Sequence, residues 1–288
     1  MMVGFLALLR LCRPTQWLKN LMLFFPPFLS GSILHPEVAV KGMPAFIAFC
    51  LASSSGYILN DIVDLDHDRL HPRKKYRPLP AGVLKPVAAA ILALLLFCGG
   101  TGVAVISLSS RFLLFLLLYL LVTAIYSLKV KDIPLLDVFC VATGFIVRLL
   151  AGGEAFAVLV SDWLFLTVFL LALFLSIGKR LTEKRNLGIE AELHRKSLAG
   201  YPDGFLDGAM YLTGGSVLVT YSMYTISRGQ LLYTVPLCCF GLLRYVLRVK
   251  SGLSGDPTES LIKDAQLLII ALVWAAAIAW EIYSGYRI

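Results

Sequence analysis

Nine long apolar stretches recur along this chain, at about 17–34, 42–59, 84–107, 112–128, 133–153, 161–178, 205–227, 231–247 and 265–284. Most reach the roughly 17–25 residues that a helix needs to cross a hydrocarbon core. A soluble protein that is 58% hydrophobic, with a mean hydropathy of +0.81, would expose large sticky patches. The composition therefore selects an all-α polytopic membrane protein with about nine transmembrane helices. The third and fourth stretches are separated by only a few residues and are expected to form a tight hairpin. No composition shift or linker divides the chain, so residues 1–288 are read as one transmembrane domain.

The loops between these stretches are sharply asymmetric in charge. One side of the membrane receives 21 of the 26 Lys and Arg residues and the other only 4, with Arg148 inside the fifth stretch. The positive-inside rule then puts the N-terminus in the cytoplasm and the C-terminus outside, in a cell (inner) membrane. The net charge of +8 is thereby accounted for by topology, and nucleic acid is not an expected partner. No small-residue cleavage pattern follows the first apolar stretch, so no removable leader is expected. The six cysteines show no metal-ligand spacing and read as small apolar residues.

Directly after the second stretch comes Asn60-Asp61-Ile62-Val63-Asp64-Leu65-Asp66-His67-Asp68, followed by His71, Arg73, Lys74, Lys75 and Arg77. At ~100° per residue, Asp61, Asp64 and Asp68 fall on one helix face. Three carboxylates there repel one another unless a cation sits between them. Ligands that are all oxygen favour a hard ion such as Mg²⁺, commonly shared with a phosphorylated substrate. His67 and His71 are spaced i, i+4, but their carboxylate company favours Mg²⁺ over zinc. His71 is read as a phosphate or structural contact. Lys74 and Arg77 are candidate phosphate ligands, although topology alone also places cations in this loop.

A second long loop, about 179–203, follows the sixth stretch. It opens with Lys179, Arg180 and Glu183 and continues to Arg195 and Lys196, with no second aspartate cluster. The first loop (about 60–83) suits a metal ion; the second suits direct phosphate binding through Arg and Lys. Lys179 and Glu183 could instead pair with each other. Elsewhere, Lys19 flanks the first stretch, and Tyr126 and Lys129 end the fourth. Asp137 lies about a turn into the fifth stretch and is expected to face a polar cavity, since a carboxylate there is costly otherwise. Arg148, deeper in that stretch, is expected to snorkel outward.

Asn60-Asp61-x-x-Asp64-x-x-x-Asp68 after the second stretch resembles the first motif of the UbiA superfamily of intramembrane prenyltransferases. Further stretches resemble one branch of it, the decaprenyl-phosphate phosphoribosyltransferases. They are Arg13-Pro14-x-Gln16-Trp17-x-Lys19-Asn20, His71-Pro72-x-Lys74-x-x-Arg77-Pro78, Tyr126-Ser127, Gly152-Gly153, Gly178-Lys179-Arg180-x-x-Glu183, Arg195-Lys196-Ser197-Leu198 and Gly252-Leu253-x-Gly255-x-Pro257. The resemblance covers nearly the whole chain. Aromatic prenyltransferases of the superfamily usually carry a second Asp-rich motif where this chain has Lys179-Arg180-x-x-Glu183.

The resemblance implies a UbiA-type bundle with its active site at the cytoplasmic face. It implies transfer of 5-phosphoribose from 5-phosphoribosyl diphosphate to a polyprenyl phosphate, with Mg²⁺ as cofactor, toward a lipid-linked arabinose precursor for the cell envelope. Asp61, Asp64, Lys179 and Arg180 are the expected catalytic residues, and Asp61, Asp64 and Asp68 the metal ligands. Lys19, Asn60, His71, Lys74, Arg77, Tyr126, Lys129, Asp137, Glu183, Arg195 and Lys196 are the expected substrate-binding set. A polyprenyl chain is too long for a sealed pocket, so a lateral groove open to the bilayer is expected. The expected partners are the two substrates and membrane lipids, with self-association left open. Two other readings remain: an aromatic prenyltransferase using a prenyl diphosphate donor, and a transporter using the acidic face as a cation site. Transporter sites usually lie near the midplane on broken helices, whereas these charges gather at one face.

Overall fold

The computed structural model describes residues 2–70, 74–187, 196–229 and 231–284. His71 and Arg195 lie outside the described residues. Helices make up every regular element described except single turns, and no strand occurs among the described residues. Helix α1 (Met2–Cys12) leads into a 3-10 segment (Pro14–Phe24) and the short α2 (Phe25–Leu29). Next come α3 (Pro36–Val63), α4 (Leu65–Leu70), α5 (Pro86–Ser107) and α6 (Ser110–Leu128). The remainder is α7 (Leu136–Ala155), α8 (Asp162–Leu187), α9 (Lys196–Ala199), α10 (Phe205–Arg228), α11 (Val235–Lys250), α12 (Pro257–Lys263) and α13 (Ala265–Ser284). The α5–α6 hairpin is as tight as expected; Ser109 caps α6 by accepting from Phe112 N at 3.1 Å.

Seven of these helices, rather than nine, are long and apolar enough to cross a membrane among the described residues. Both departures have physical causes. Pro26 and Pro27 have no N–H to donate, so the first stretch cannot run as one helix and is split into the 3-10 segment and α2. Helix α10 is 24 residues long, ample to span at ~1.5 Å per residue, but Asp207, three glycines and a run of hydroxyl side chains make it too polar.

The helices divide into a centre and a rim. In α3, α7 and α8 the spanning windows are 61% buried, against 17% in α5 and 11% in α13. The rim exposes Val87, Leu94, Leu95, Ile269 and Leu272, an apolar surface suited to lipid. Lipid tails are as apolar as leucine, so helices in a bilayer associate through close packing, helped by small residues. Gly152 shows this most directly: a Cβ there would lie 2.1 Å from the Leu23 carbonyl oxygen. Its absence lets the 3-10 segment lie against α7. That close approach, together with the buried Ser53 and Ser54 of α3, seats the N-terminal segment in the centre of the bundle.

Candidate active site

The N-terminal segment supplies one wall of the site. Pro14 disfavours the right-handed helical region at Arg13, and Arg13 adopts the left-handed φ 52°, ψ 60°. A left-handed non-glycine residue costs of order 1 kcal/mol and is held here by its side chain. Its guanidinium pairs with Asp61 and stacks 5.3 Å from the Tyr57 ring centre. Behind it, Trp17 Nε1 donates to Ser54 Oγ at 3.0 Å, and Asn20 Nδ2 donates to Ser53 Oγ at 3.3 Å.

At the end of α3 the acidic turn is laced by cations. Asp61 and Asp68 are 2% and 1% exposed, and Arg77 bridges them at 3.1 and 2.7 Å. Lys74 approaches Asp68 at 3.2 Å. Asp64 lies in the break between α3 and α4, pairs with Lys131 and accepts from Asn60 Nδ2 at 3.0 Å. The three carboxylates are thus divided between partners: Asp61 and Asp68 share Arg77, while Asp64 and Asn60 line the cavity described below. No cluster of three or more His, Cys, Asp or Glu arranged for a metal occurs among the described residues. The donor set itself, three carboxylates and an amide within nine residues, still suits a hard divalent cation. Arg13, Arg77 and Lys131 hold those oxygens in this arrangement.

The opposite wall is made by α8 and α12. A Cβ on Gly255 would lie 2.6 Å from the Gly178 carbonyl, so only glycine lets the α12 approach reach α8. The contact delivers Asp256 to Lys179 at 2.9 Å. Asp256 also caps α12, accepting from Thr258 N and Glu259 N at 3.1 and 3.2 Å. Burial would raise its pKa, but Lys179, Lys19 and the cap outweigh burial and hold it at about 2.

Arg180 has the other role in this wall. It is 3% exposed and donates to Asp137 at 2.7 Å, Glu183 at 2.6 Å and Tyr126 Oη at 3.2 Å. Asp137 is fully buried and also accepts from Tyr201 Oη at 2.6 Å and Ser197 Oγ at 3.3 Å. Tyr201 Oη accepts in turn from Leu135 N at 2.7 Å. Burial and the Asp137 carboxylate push the Tyr201 pKa up. Asp137 thus does not face a polar cavity, as the sequence suggests. It ties the second loop to α7 and α8, because Arg180 meets the cost of burying its charge.

These walls enclose a cavity of about 400 Å³. Lys19, Asn60, Asp64, Lys74, Arg77, Tyr126, Lys179, Arg180 and Glu183 line it; Lys129, Asp137 and Lys196 do not, and the latter's backbone begins the short α9. Lys131 lines it in place of Lys129, because a 3-10 turn over Val130–Asp132 turns the chain after α6. Arg13, Tyr57, Tyr119, Arg148 and Asp256 also line it. Of these, Arg13 and Asp256 lie within the motif stretches of the sequence, Arg148 is marked there only as a charge inside an apolar stretch, and Tyr57 and Tyr119 carry no local signal. Arg148 does not snorkel: it is 4% exposed and bonds to Asn20, Gly144 and Tyr119. In all, eight cationic side chains line the cavity with three carboxylates, a surplus suited to a polyanion. Leu175 and Pro257 are shared with a second, apolar cavity of about 370 Å³ running between α8, α10, α11 and α13.

Residues 24–268 match the UbiA prenyltransferase family. The decaprenyl-phosphate phosphoribosyltransferase of Mycolicibacterium smegmatis is 33% identical, with 96% of this chain and 92% of that protein covered. Its counterpart in Mycobacterium tuberculosis is 30% identical over 95% of this chain and 93% of its own length. Among solved structures, a UbiA homolog from Archaeoglobus fulgidus bound to GPP and Mg²⁺ superposes with a TM-score of 0.76 at 20% identity, covering 96% of this chain and 99% of that one. The fold, the family match and the relatives agree, and the chain belongs to the UbiA prenyltransferase family.

Proposed function

We propose that this membrane enzyme transfers 5-phosphoribose from 5-phosphoribosyl diphosphate to a polyprenyl phosphate, releasing diphosphate. The carrying observation is a cavity rich in cations that adjoins an apolar one through Leu175 and Pro257. The first matches a sugar bearing a phosphate and a diphosphate. The second matches a prenyl tail, the lateral path expected of a long lipid. The relatives named above are, by name, decaprenyl-phosphate phosphoribosyltransferases. Lys179 paired with Asp256, where aromatic prenyltransferases usually carry acidic residues, favours direct phosphate contact over a second metal cluster.

In this reading the lipid phosphate oxygen attacks ribose C1 as the C1–O bond to diphosphate breaks. The nucleophile is already anionic near neutral pH, so no general base is needed. Lys19, Lys131 and Lys179 attract and orient the phosphate groups, and positioning with electrostatics carries the rate. Arg180, locked by Asp137 and Glu183, shapes the wall rather than moving a proton. Asp64 and Asn60, backed by Asp61 and Asp68, would hold Mg²⁺, which when bound neutralises charge on the diphosphate. The site would face the cytoplasm, the side with most of the Lys and Arg.

Purified protein supplied with Mg²⁺, ribose-labelled 5-phosphoribosyl diphosphate and a polyprenyl phosphate tests this reading. Label is expected in the lipid phase with wild type and lost with Asp64→Asn. No label in lipid from folded wild-type protein, across several prenyl lengths, overturns it.

A further inference from the structure

Arg148 carries its charge into the centre of the bundle with no carboxylate beside it among the described residues. It lies twelve residues into α7, ~18 Å along the helix axis, and is 4% exposed. Nε donates to Asn20 Oδ1 at 2.8 Å, one terminal nitrogen to Gly144 O at 2.9 Å, and the other to Tyr119 Oη at 2.8 Å. The guanidinium also stands 4.3 Å from the Tyr119 ring centre. Every acceptor is neutral. The other cations of the cavity, Lys19 excepted, are each paired with a carboxylate.

That difference has a chemical meaning. A guanidinium offers five N–H donors, and three are placed here, leaving two. Neutral acceptors fix where the group points, but they do not neutralise it. An uncompensated charge at this depth is expensive, and such residues in membrane proteins mark substrate pathways. A planar fork of donors matches phosphate geometry better than an ammonium does. Lys19 lines the same cavity from the N-terminal segment, next in sequence to the Asn20 that holds Arg148.

We propose that Arg148, positioned by Asn20, Tyr119 and Gly144 and assisted by Lys19, forms a deep anion subsite that receives a phosphate group of one of the two substrates. The inference rests on the phosphoribosyl-transfer reading for the identity of those substrates. The anion is a phosphate in either case, from the lipid or from the sugar donor, and the experiment separates the two.

Full-length wild type, Arg148→Gln, Arg148→Lys and Lys19→Met in detergent would be titrated with 5-phosphoribosyl diphosphate, a ten-carbon prenyl monophosphate and inorganic diphosphate. Steady-state constants and melting temperatures would be measured alongside. Arg148→Gln is expected to weaken one substrate about 10–100-fold, the loss of charge-assisted bonds, and to raise KM for that substrate alone. Arg148→Lys recovers part of the loss. Loss confined to the prenyl monophosphate assigns the lipid phosphate; loss confined to the sugar donor assigns that phosphate. A lower melting temperature with unchanged affinities and KM makes Arg148 a structural clamp and overturns the proposal. Should Arg148→Gln fail to fold, Lys19→Met decides in the same way, since Asp256, whose charge Lys19 helps to hold, keeps its direct partner Lys179. If wild type binds neither substrate, the reaction reading fails; inorganic diphosphate bound by wild type and lost in Arg148→Gln would still establish the subsite.

Discussion

Lys179 and Arg180 are neighbours in sequence with different tasks. Arg180 is buried against Asp137, and removing Asp137 leaves Arg180 only Glu183 as a carboxylate partner among the described residues and strips Tyr201 Oη and Ser197 Oγ of this acceptor. Asp137→Ala is therefore expected to cost about 1–3 kcal/mol, read as a lowered thermal unfolding transition. Lys179 is more than a third exposed and pairs with Asp256 at the cavity wall. Lys179→Met should leave the transition nearly unchanged and raise KM. An unchanged KM with a large fall in stability would show the pair to be structural. Asp256, held at about 2 against an ordinary 3.8, contributes stability that is fully present above 3.8 and lost as pH falls toward 2. It stays ionised through the working range. A fall in rate on acidification should instead track the second pKa of the lipid phosphate, roughly 6 for a phosphate monoester. Asp256→Asn should not move that midpoint; a shifted midpoint would contradict this assignment. The sequence displayed Asn60, Asp64 and Lys179 because each belongs to a dense polar run beside an apolar stretch. It marked Arg148 as a charge in an apolar stretch but pointed it outward, and it concealed Tyr119, because the meaning of both arises only where α6 and α7 meet.

At the scale of elements, the site depends on close backbone contacts. Gly152 admits the 3-10 segment to α7, and Gly255 admits the start of α12 to α8. Gly152→Ala must displace the Leu23 backbone, since a carbonyl at 2.1 Å cannot rotate away as a side chain would. Overpacking of this kind typically costs about 1–3 kcal/mol. Helix content by circular dichroism should hold while the melting temperature and turnover fall; unchanged turnover would show that the N-terminal segment does not position the site. Glycine pairs were visible in the sequence, but not what they approach. The first apolar stretch shows the same limit: hydropathy marks it, yet Pro26 and Pro27 decide that it is a 3-10 segment and short helix. The offset from Lys129 to Lys131 is likewise set by a single 3-10 turn, below the resolution of periodicity.

For the molecule as a whole, polar and apolar cavities meet inside one bundle. Hydropathy revealed the membrane class and charge asymmetry suggested a sidedness, because both are sums over many residues. The helices that form the apolar path were not legible, since every spanning helix is apolar. Ala271 lines that path on α13. Ala271→Trp should depress turnover with a long polyprenyl phosphate and spare a ten-carbon analogue, measured as the ratio of the two kcat/KM values. An equal effect on both lengths would place the tail elsewhere.

The donor distinguishes phosphoribosyl transfer from prenyl transfer, and one competition reads it out. Purified protein with Mg²⁺ would receive 5-phosphoribosyl diphosphate, polyprenyl phosphate, a prenyl diphosphate and a hydroxybenzoate acceptor together, with products resolved by mass spectrometry. A polyprenyl phosphate bearing one phosphoribosyl group and no prenylated aromatic is expected. A prenylated aromatic, with the polyprenyl phosphate unchanged, would contradict phosphoribosyl transfer.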